Sequence, residues 1–129
     1  MNDKTNDKKQ NANEFGKFAE EVAVRDYVRR GYAIKERNWR LGKTEIDIIA
    51  QKDNVLVISE VKARKLSEAD AVSSVTFDKR RRMVKAADAY LRKYQGYFTY
   101  RFDIVACAGN INDYTLDIYE DAFLATDLL

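Results

Sequence analysis

Histidine and proline are absent from the 129 residues, and cysteine occurs once. Without histidine there is no Ser-His-Asp or Cys-His catalysis, no His-bearing zinc site and no nuclease built on a histidine base. The lone Cys107 forms no intramolecular disulfide, which fits a reducing cytoplasm. Its setting, Ile104-Val105-Ala106-Cys107-Ala108, is that of a buried, inert thiol. No apolar run approaches the ~18 residues of a membrane span, so no membrane partner is expected. No Gly-x-x-x-x-Gly-Lys loop exists to cradle a nucleotide's phosphates. There is no Pro-rich linker and no internal repeat. The opening, Met1 to Asn13, is polar and lacks the apolar segment of a signal peptide, so it reads as a disordered tail. Residues 14–120 then form a single domain and 121–129 a C-terminal tail, in a cytoplasmic protein. Carboxylates, lysine, arginine and a borrowed metal ion are what remains for chemistry.

The carboxylates are distributed informatively. Glu45-Ile46-Asp47 and Glu60-Val61-Lys62 flank an apolar run broken at Asp53-Asn54, the signature of a β-hairpin. A turn centred there pairs Gln51 with Leu56, Ile49 with Ile58, Asp47 with Glu60 and Glu45 with Lys62. These side chains share one face, because strand side chains alternate. Ile46, Ile48 and Ala50 lie on the other, against Val57, Ser59 and Val61. Opposed residues hold their Cβ atoms about 4.5–5.5 Å apart, so Asp47 facing Glu60 is destabilising unless positive charge intervenes. Lys62 supplies part of it. A hard, oxygen-ligated cation such as Mg²⁺ would supply the rest. An ordinary salt-bridge patch at a frayed ribbon end accounts for the same residues without a metal.

The net charge of +2 says little, but its distribution is uneven. Arg25 to Lys43, including Arg40, is strongly basic, whereas Asn110 to the end holds acids and no base. One face could therefore attract phosphates. Glu14 to Arg30 reads as an amphipathic helix stopped by Gly31, with Phe15, Phe18, Ala19, Val22, Ala23 and Tyr27 as its buried stripe. Glu20 lies at the edge of that stripe, where it could lean toward a site; Glu21 points away. Strands follow at Tyr32–Leu41, Glu45–Gln51 and Val55–Arg64, then a loop over Lys65–Ser74. Thr76 caps a second helix reaching Tyr94, with Met83, Ala87, Tyr90 and Tyr94 buried. Lys79-Arg80-Arg81-Arg82 in its first turn oppose the helix dipole, which suits phosphate contact, though a solvated basic run looks the same. Two more strands, Tyr97–Ala108 and Tyr114–Tyr119, follow a Gln95-Gly96 turn. The order αβββαββ gives an α/β sandwich, a mixed sheet of about five strands flanked by two main helices.

A helix Glu, then Asp, then Glu-x-Lys across a hairpin resembles the metal-dependent PD-(D/E)xK nuclease core, the restriction-endonuclease-like fold. More closely, the chain resembles the YraN-type family of small bacterial proteins. The segments that match are Gly16-x-x-x-Glu20-x-x-Ala23, Arg37-Asn38-Trp39-Arg40, Glu45-Ile46-Asp47-Ile48-Ile49-Ala50, Glu60-Val61-Lys62-x-Arg64, Lys79-Arg80-Arg81-Arg82, Ala89-Tyr90-Leu91 and Arg101-Phe102-Asp103. Ala19 and Thr44 stand where that family usually has glycine, and the nuclease motif's proline is missing.

The resemblance implies that Asp47 and Glu60, with the carbonyl of Val61, hold Mg²⁺ or Mn²⁺. Glu20 adds a carboxylate, and Lys62 orients or deprotonates the attacking water. Arg64 and Lys79–Arg82 position the backbone, with Arg40 and Lys43 in the basic segment before them. Glu45, Arg101 and Asp103 support the site; Tyr32 or Trp39 could stack on unpaired bases, but buried core is the expectation for both. The implied activity is cleavage of DNA, branched or damaged structures included, by a protein that could act as a homodimer. A nucleic-acid-binding module without efficient hydrolysis, or a scaffold with a structural acidic cluster, are the alternatives.

Overall fold

A computed structural model describes residues 3–94 and 99–125 of the protein. The expected turn at Gln95-Gly96, the first residues of the strand expected from Tyr97, and residues 126–129 of the expected C-terminal tail lie outside it, as do the first two residues.

Helix α1 (Asp3–Arg29) starts well before the expected Glu14, because residues 3–13 hold neither glycine nor proline to break it. It ends as expected. Gly31 adopts φ 95°, and Tyr32 N donates back to the Tyr27 carbonyl (3.0 Å), a left-handed terminus that glycine takes without strain. Strands β1 (Ala33–Leu41), β2 (Thr44–Lys52) and β3 (Val55–Lys62) form an antiparallel meander. Helices α2 (Glu68–Ser73) and α3 (Phe77–Tyr94) carry the chain over one face to β4 (Thr99–Gly109), which lies parallel to β3. Such a crossover is what a parallel pair demands. β5 (Tyr114–Phe123) returns antiparallel, completing a five-stranded mixed sheet ordered β1-β2-β3-β4-β5. The α/β sandwich expected from the sequence is the fold observed.

Each face of the sheet has its own core. Ala23 and Tyr27 of α1 pack on Ile48, Ala50, Val57 and Val105. Met83, Ala86, Ala87 and Tyr90 of α3 pack on the other face, against Ile46, Ile49, Leu56, Ile58, Phe102 and Ile104. Cys107 is fully buried, as its surroundings suggest.

Three expectations are corrected. Lys65–Ser74 is not all loop: Ser67 caps α2 by accepting from Asp70 N at 3.1 Å, with Glu68 and Asp70 in the first turn. β5 runs past Tyr119 to Phe123, whose ring stacks 4.7 Å from Phe102, so the domain reaches beyond residue 120. Tyr94, expected in the buried stripe of α3, is 48% exposed and Ala86 is buried in its stead. As the last residue of α3, Tyr94 covers Tyr90 (4.4 Å) while its hydroxyl reaches Glu36.

Candidate functional site

The β2–β3 hairpin keeps its expected register only near its turn, from Lys52↔Val55 to Ile48↔Ser59. Beyond Ser59 the strands part. β2 continues along β1 through Trp39↔Ile46, Arg40↔Glu45 and Leu41↔Thr44. β3 continues along β4 through Glu60↔Ile104, Val61↔Val105 and Lys62↔Ala106. The expected ladder pairs Asp47/Glu60 and Glu45/Lys62 therefore do not form. Opposed carboxylates at ladder distance repel, and the fork relieves them. Asp47 Oδ2 accepts from the Val61 amide at 2.7 Å, so a side chain satisfies an N–H where the hairpin pairing has ended.

The fork also breaks the alternation of β2. Ile46 joins the core under α3, whereas Ile48 and Ala50 join the one under α1, contrary to the single apolar face expected of these residues. Between them lies Asp47. Across from it, bracketed by Arg37↔Ile48 and Trp39↔Ile46, is Asn38, with φ 51°. Asparagine tolerates that left-handed backbone better than most residues. Its carboxamide nitrogen, in the orientation its acidic surroundings require, donates to Glu45 Oε1 (3.1 Å) and Glu20 Oε1 (3.2 Å). Asn38 lies in the segment Arg37-Asn38-Trp39-Arg40, and its role has no signal in spacing alone.

A cleft of about 450 Å³ opens at the fork, lined by Asn13, Gly16, Lys17 and Glu20 of α1 and by Asp47, Glu60, Val61 and Ala63. Glu20 is thus brought to the pair, while Glu21 turns away to Arg37 (2.8 Å). Lys17, one helical turn before Glu20, was not anticipated. Lys62 Nζ stands 3.8 Å from Glu60 Oε1, and Lys79 Nζ stands 3.9 Å from Glu60 Oε2 and 3.3 Å from the Glu45 carbonyl. Glu60 Oε2 is buried and accepts no hydrogen bond.

Electrostatics follow from this crowding. Burial, then the neighbouring Asp47, lifts the Glu60 carboxyl above its usual range; Lys79 and Lys62 pull it back. Burial likewise raises Asp47, opposed by the Val61 amide and by both lysines. Glu20 is raised by burial and by the neighbouring charge of Asp47. Acids held above their usual range inside a cleft are acids short of positive charge. Among the described residues no three acidic or thiol side chains form a ready-made metal cage. The donors on offer are two carboxylates, Glu20 behind them, and backbone oxygen.

The remaining expected residues divide. Arg80 is turned inward: Nε donates to the Val75 carbonyl (3.0 Å), a terminal nitrogen donates to the Val72 carbonyl, and the guanidinium covers the Phe123 ring. It joins α2 to α3 and does not face solvent with its neighbours. Arg81 and Arg82 are exposed on the outer side of α3, beside Asp78 and Lys85. Arg40 pairs with Glu45 at 3.1 Å, and Lys43 and Arg64 are exposed. Arg101 and Asp103 form a buried pair on the α1 side: Asp103 accepts from Arg101 twice (2.9 Å each) and from the Tyr27 hydroxyl (2.8 Å), beside Ser59. They anchor α1 and touch none of the clustered acids. Trp39 is half-buried against Tyr90, and Tyr32 against Tyr27, as core residues.

A second cleft, about 360 Å³, lies between α1 and β5, walled by Arg25, Arg29, Arg30 and Tyr114. Asp26 binds Arg29 and Arg30, and Glu120 also meets Arg30, so much of its charge is already compensated. Its one lining acid, Asp26, is engaged by these arginines, whereas the acids of the fork are crowded together.

Comparison with known proteins gives a consistent result. A model of the uncharacterised protein family UPF0102 matches residues 19–107. A UPF0102 protein of Phocaeicola vulgatus is 42% identical over 86% of the chain and 93% of its own length. One from Flavobacterium psychrophilum is 41% identical over 86% and 94%, and one from Myxococcus xanthus 35% over 85% and 89%. The matched segment contains Glu20, Asn38, Asp47, Glu60, Lys62 and Lys79.

Proposed function

The chain belongs to the uncharacterised family UPF0102, and from that premise we propose that it is a metal-dependent endonuclease hydrolysing phosphodiester bonds in DNA. One observation carries the reading. Where β2 and β3 diverge, Glu20, Asp47 and Glu60 crowd into a cleft, the buried Glu60 Oε2 has no hydrogen-bond donor, and two lysine ammonium groups flank Glu60. Nothing in packing requires such a cluster, and burying like charges together costs stability.

The residues fit a hard divalent cation. Glu60 Oε2 is a buried oxygen that accepts no hydrogen bond, with the Lys79 ammonium 3.9 Å away, and raised carboxyls gain most from a cation beside them. Asp47 Oδ1, Glu60 and the Val61 carbonyl would hold Mg²⁺ or Mn²⁺, with Glu20 reached directly or through water. Such an ion polarises a phosphoryl oxygen and lowers the pKa of bound water. Lys62 orients the attacking water and offsets phosphate charge. Asn38 fixes the Glu20 and Glu45 carboxylates in the cluster. The Val61 amide holds Asp47 Oδ2, leaving the other oxygen to act.

The test is cleavage of single-stranded, duplex, flapped and four-way-junction DNA with Mg²⁺ or Mn²⁺. Loss of cleavage in Asp47→Ala/Lys62→Ala and with chelator is the expected outcome; inertness on all four overturns the reading. The second reading, a nucleic-acid-binding module without efficient hydrolysis, is favoured by the finding that no three acids among the described residues are arranged as a ready-made cage. Binding without cleavage would select it.

A further inference from the structure

Lys79 stands apart from the basic run it belongs to in sequence. Met83, Ala86 and Tyr90 form the buried stripe of α3, and Lys79 precedes them at the same four-three-four spacing. Its stem is thus directed to the sheet, whereas Arg81 and Arg82 are exposed. Its place is fixed twice over. Thr76 Oγ1 caps the helix by accepting from the Lys79 amide at 3.1 Å, and Arg80 ties the same turn to the Val72 and Val75 carbonyls. The Lys79 ammonium therefore enters the fork from the α3 side, 3.9 Å from Glu60 and bonded to the Glu45 carbonyl, while Lys62 enters along β3. The two side chains are equally exposed, at 27%.

We propose that Lys79 is a second lysine of the reaction centre, binding the scissile phosphate opposite Lys62, and that the outward Arg81 and Arg82 bind nucleic acid only peripherally. The inference rests on the nuclease reading above. A charge count motivates it. Glu20, Asp47 and Glu60 carry three negative charges when ionised, and a divalent ion with Lys62 supplies three positive ones. That leaves the cluster neutral, and Lys79 provides the one positive charge that matches a phosphodiester carrying one negative charge. At about 4 Å such an added charge is worth several-fold to many-fold in affinity, depending on the local dielectric. Near a divalent ion the same ammonium is repulsive. Lys79 therefore strengthens phosphate binding while weakening metal binding, a combination that a merely structural lysine would not produce.

The experiment compares wild type, K79Q, K79R and R81Q/R82Q. Mn²⁺ affinity is read by calorimetry, and binding of a junction DNA by fluorescence anisotropy with Ca²⁺ across a salt series. K79Q should bind Mn²⁺ several-fold more tightly and DNA about tenfold more weakly, with the salt slope reduced by about one, while K79R keeps DNA binding near wild type. R81Q/R82Q should weaken DNA binding and leave Mn²⁺ affinity unchanged. Acetylation footprinting of the wild type needs no variant: DNA with Ca²⁺ should protect Lys79 as strongly as Lys62. Unchanged Mn²⁺ and DNA affinity in K79Q, or a Lys79 that DNA leaves unprotected, overturns the proposal while wild-type cleavage leaves the nuclease reading intact. A wild type that neither binds Mn²⁺ nor cleaves overturns both.

Discussion

Asp47 has two oxygens with different duties. Oδ2 is bound to the Val61 amide at 2.7 Å, and the carboxyl as a whole is raised by burial. Asp47→Asn keeps an acceptor for that amide and removes a charge, so it should raise the unfolding temperature of the metal-free protein. Asp47→Ala leaves the amide unpaired, a loss of about 1–3 kcal/mol that cancels the gain. Differential scanning calorimetry with chelator distinguishes the two, and both variants should lose metal affinity. The pH dependence has a definite sign. Glu20, Asp47 and Glu60 all have carboxyls raised above their ordinary values of 4.5, 3.8 and 4.5. The folded state therefore binds their protons more tightly than the unfolded chain. Their contribution is favourable below those values and is lost as pH rises through the folded ones. Without metal, Asp47→Asn/Glu60→Gln should gain stability over wild type progressively as pH rises above about 4. A difference that shrinks with rising pH would contradict the crowding.

At the scale of elements, the basic run at the start of α3 behaves as three separate things. Arg80 is a joint, and Arg80→Gln strips donors from the Val72 and Val75 carbonyls and cover from Phe123. It should cost about 1–3 kcal/mol, or roughly 4–11 °C in a domain of this size, while R81Q/R82Q stays near wild type in a thermal melt. Equal melts would return Arg80 to the surface group. Sequence alone does not separate these residues, since a helical period assigns faces only once the neighbouring α2 is known. That helix was missed although Ser67-Glu68-Ala69-Asp70 has the form of a cap. The hairpin is the opposite case. Its apolar alternation and Asp53-Asn54 turn made the register legible as far as Ile48 and Ser59. Where it failed, at Asp47 and Glu60, local pairing logic met charge repulsion and the adjoining strands took over the pairing. Asn38 was beyond reach for a related reason: its role depends on a backbone twist that no composition announces.

At the scale of the whole molecule, the candidate site is shared between α1 and the sheet, so the docking of α1 governs it. The buried link is Tyr27, whose hydroxyl donates to Asp103 (2.8 Å) beside Ser59, while Arg101 grips Asp103 and stacks over Tyr32. Glu20 lies about two helical turns up α1 from Tyr27, roughly 10 Å along its axis. Tyr27→Phe removes one donor from a buried carboxylate without opening a cavity, at a cost of about 1–3 kcal/mol. The loosening should concentrate in α1: its amides should exchange faster in hydrogen-exchange measurements, with β3 and β4 nearly unchanged. Metal affinity should then fall less than in Glu20→Gln, because Asp47 and Glu60 sit on the sheet and keep their places. Saturating metal should in turn slow α1 exchange, since an ion binding only the folded state at about 100 times its Kd adds ~2.7 kcal/mol to stability. If metal protected the sheet amides but left those of α1 unaffected, Glu20 would lie outside the metal's reach, and the site would belong to β2 and β3 alone.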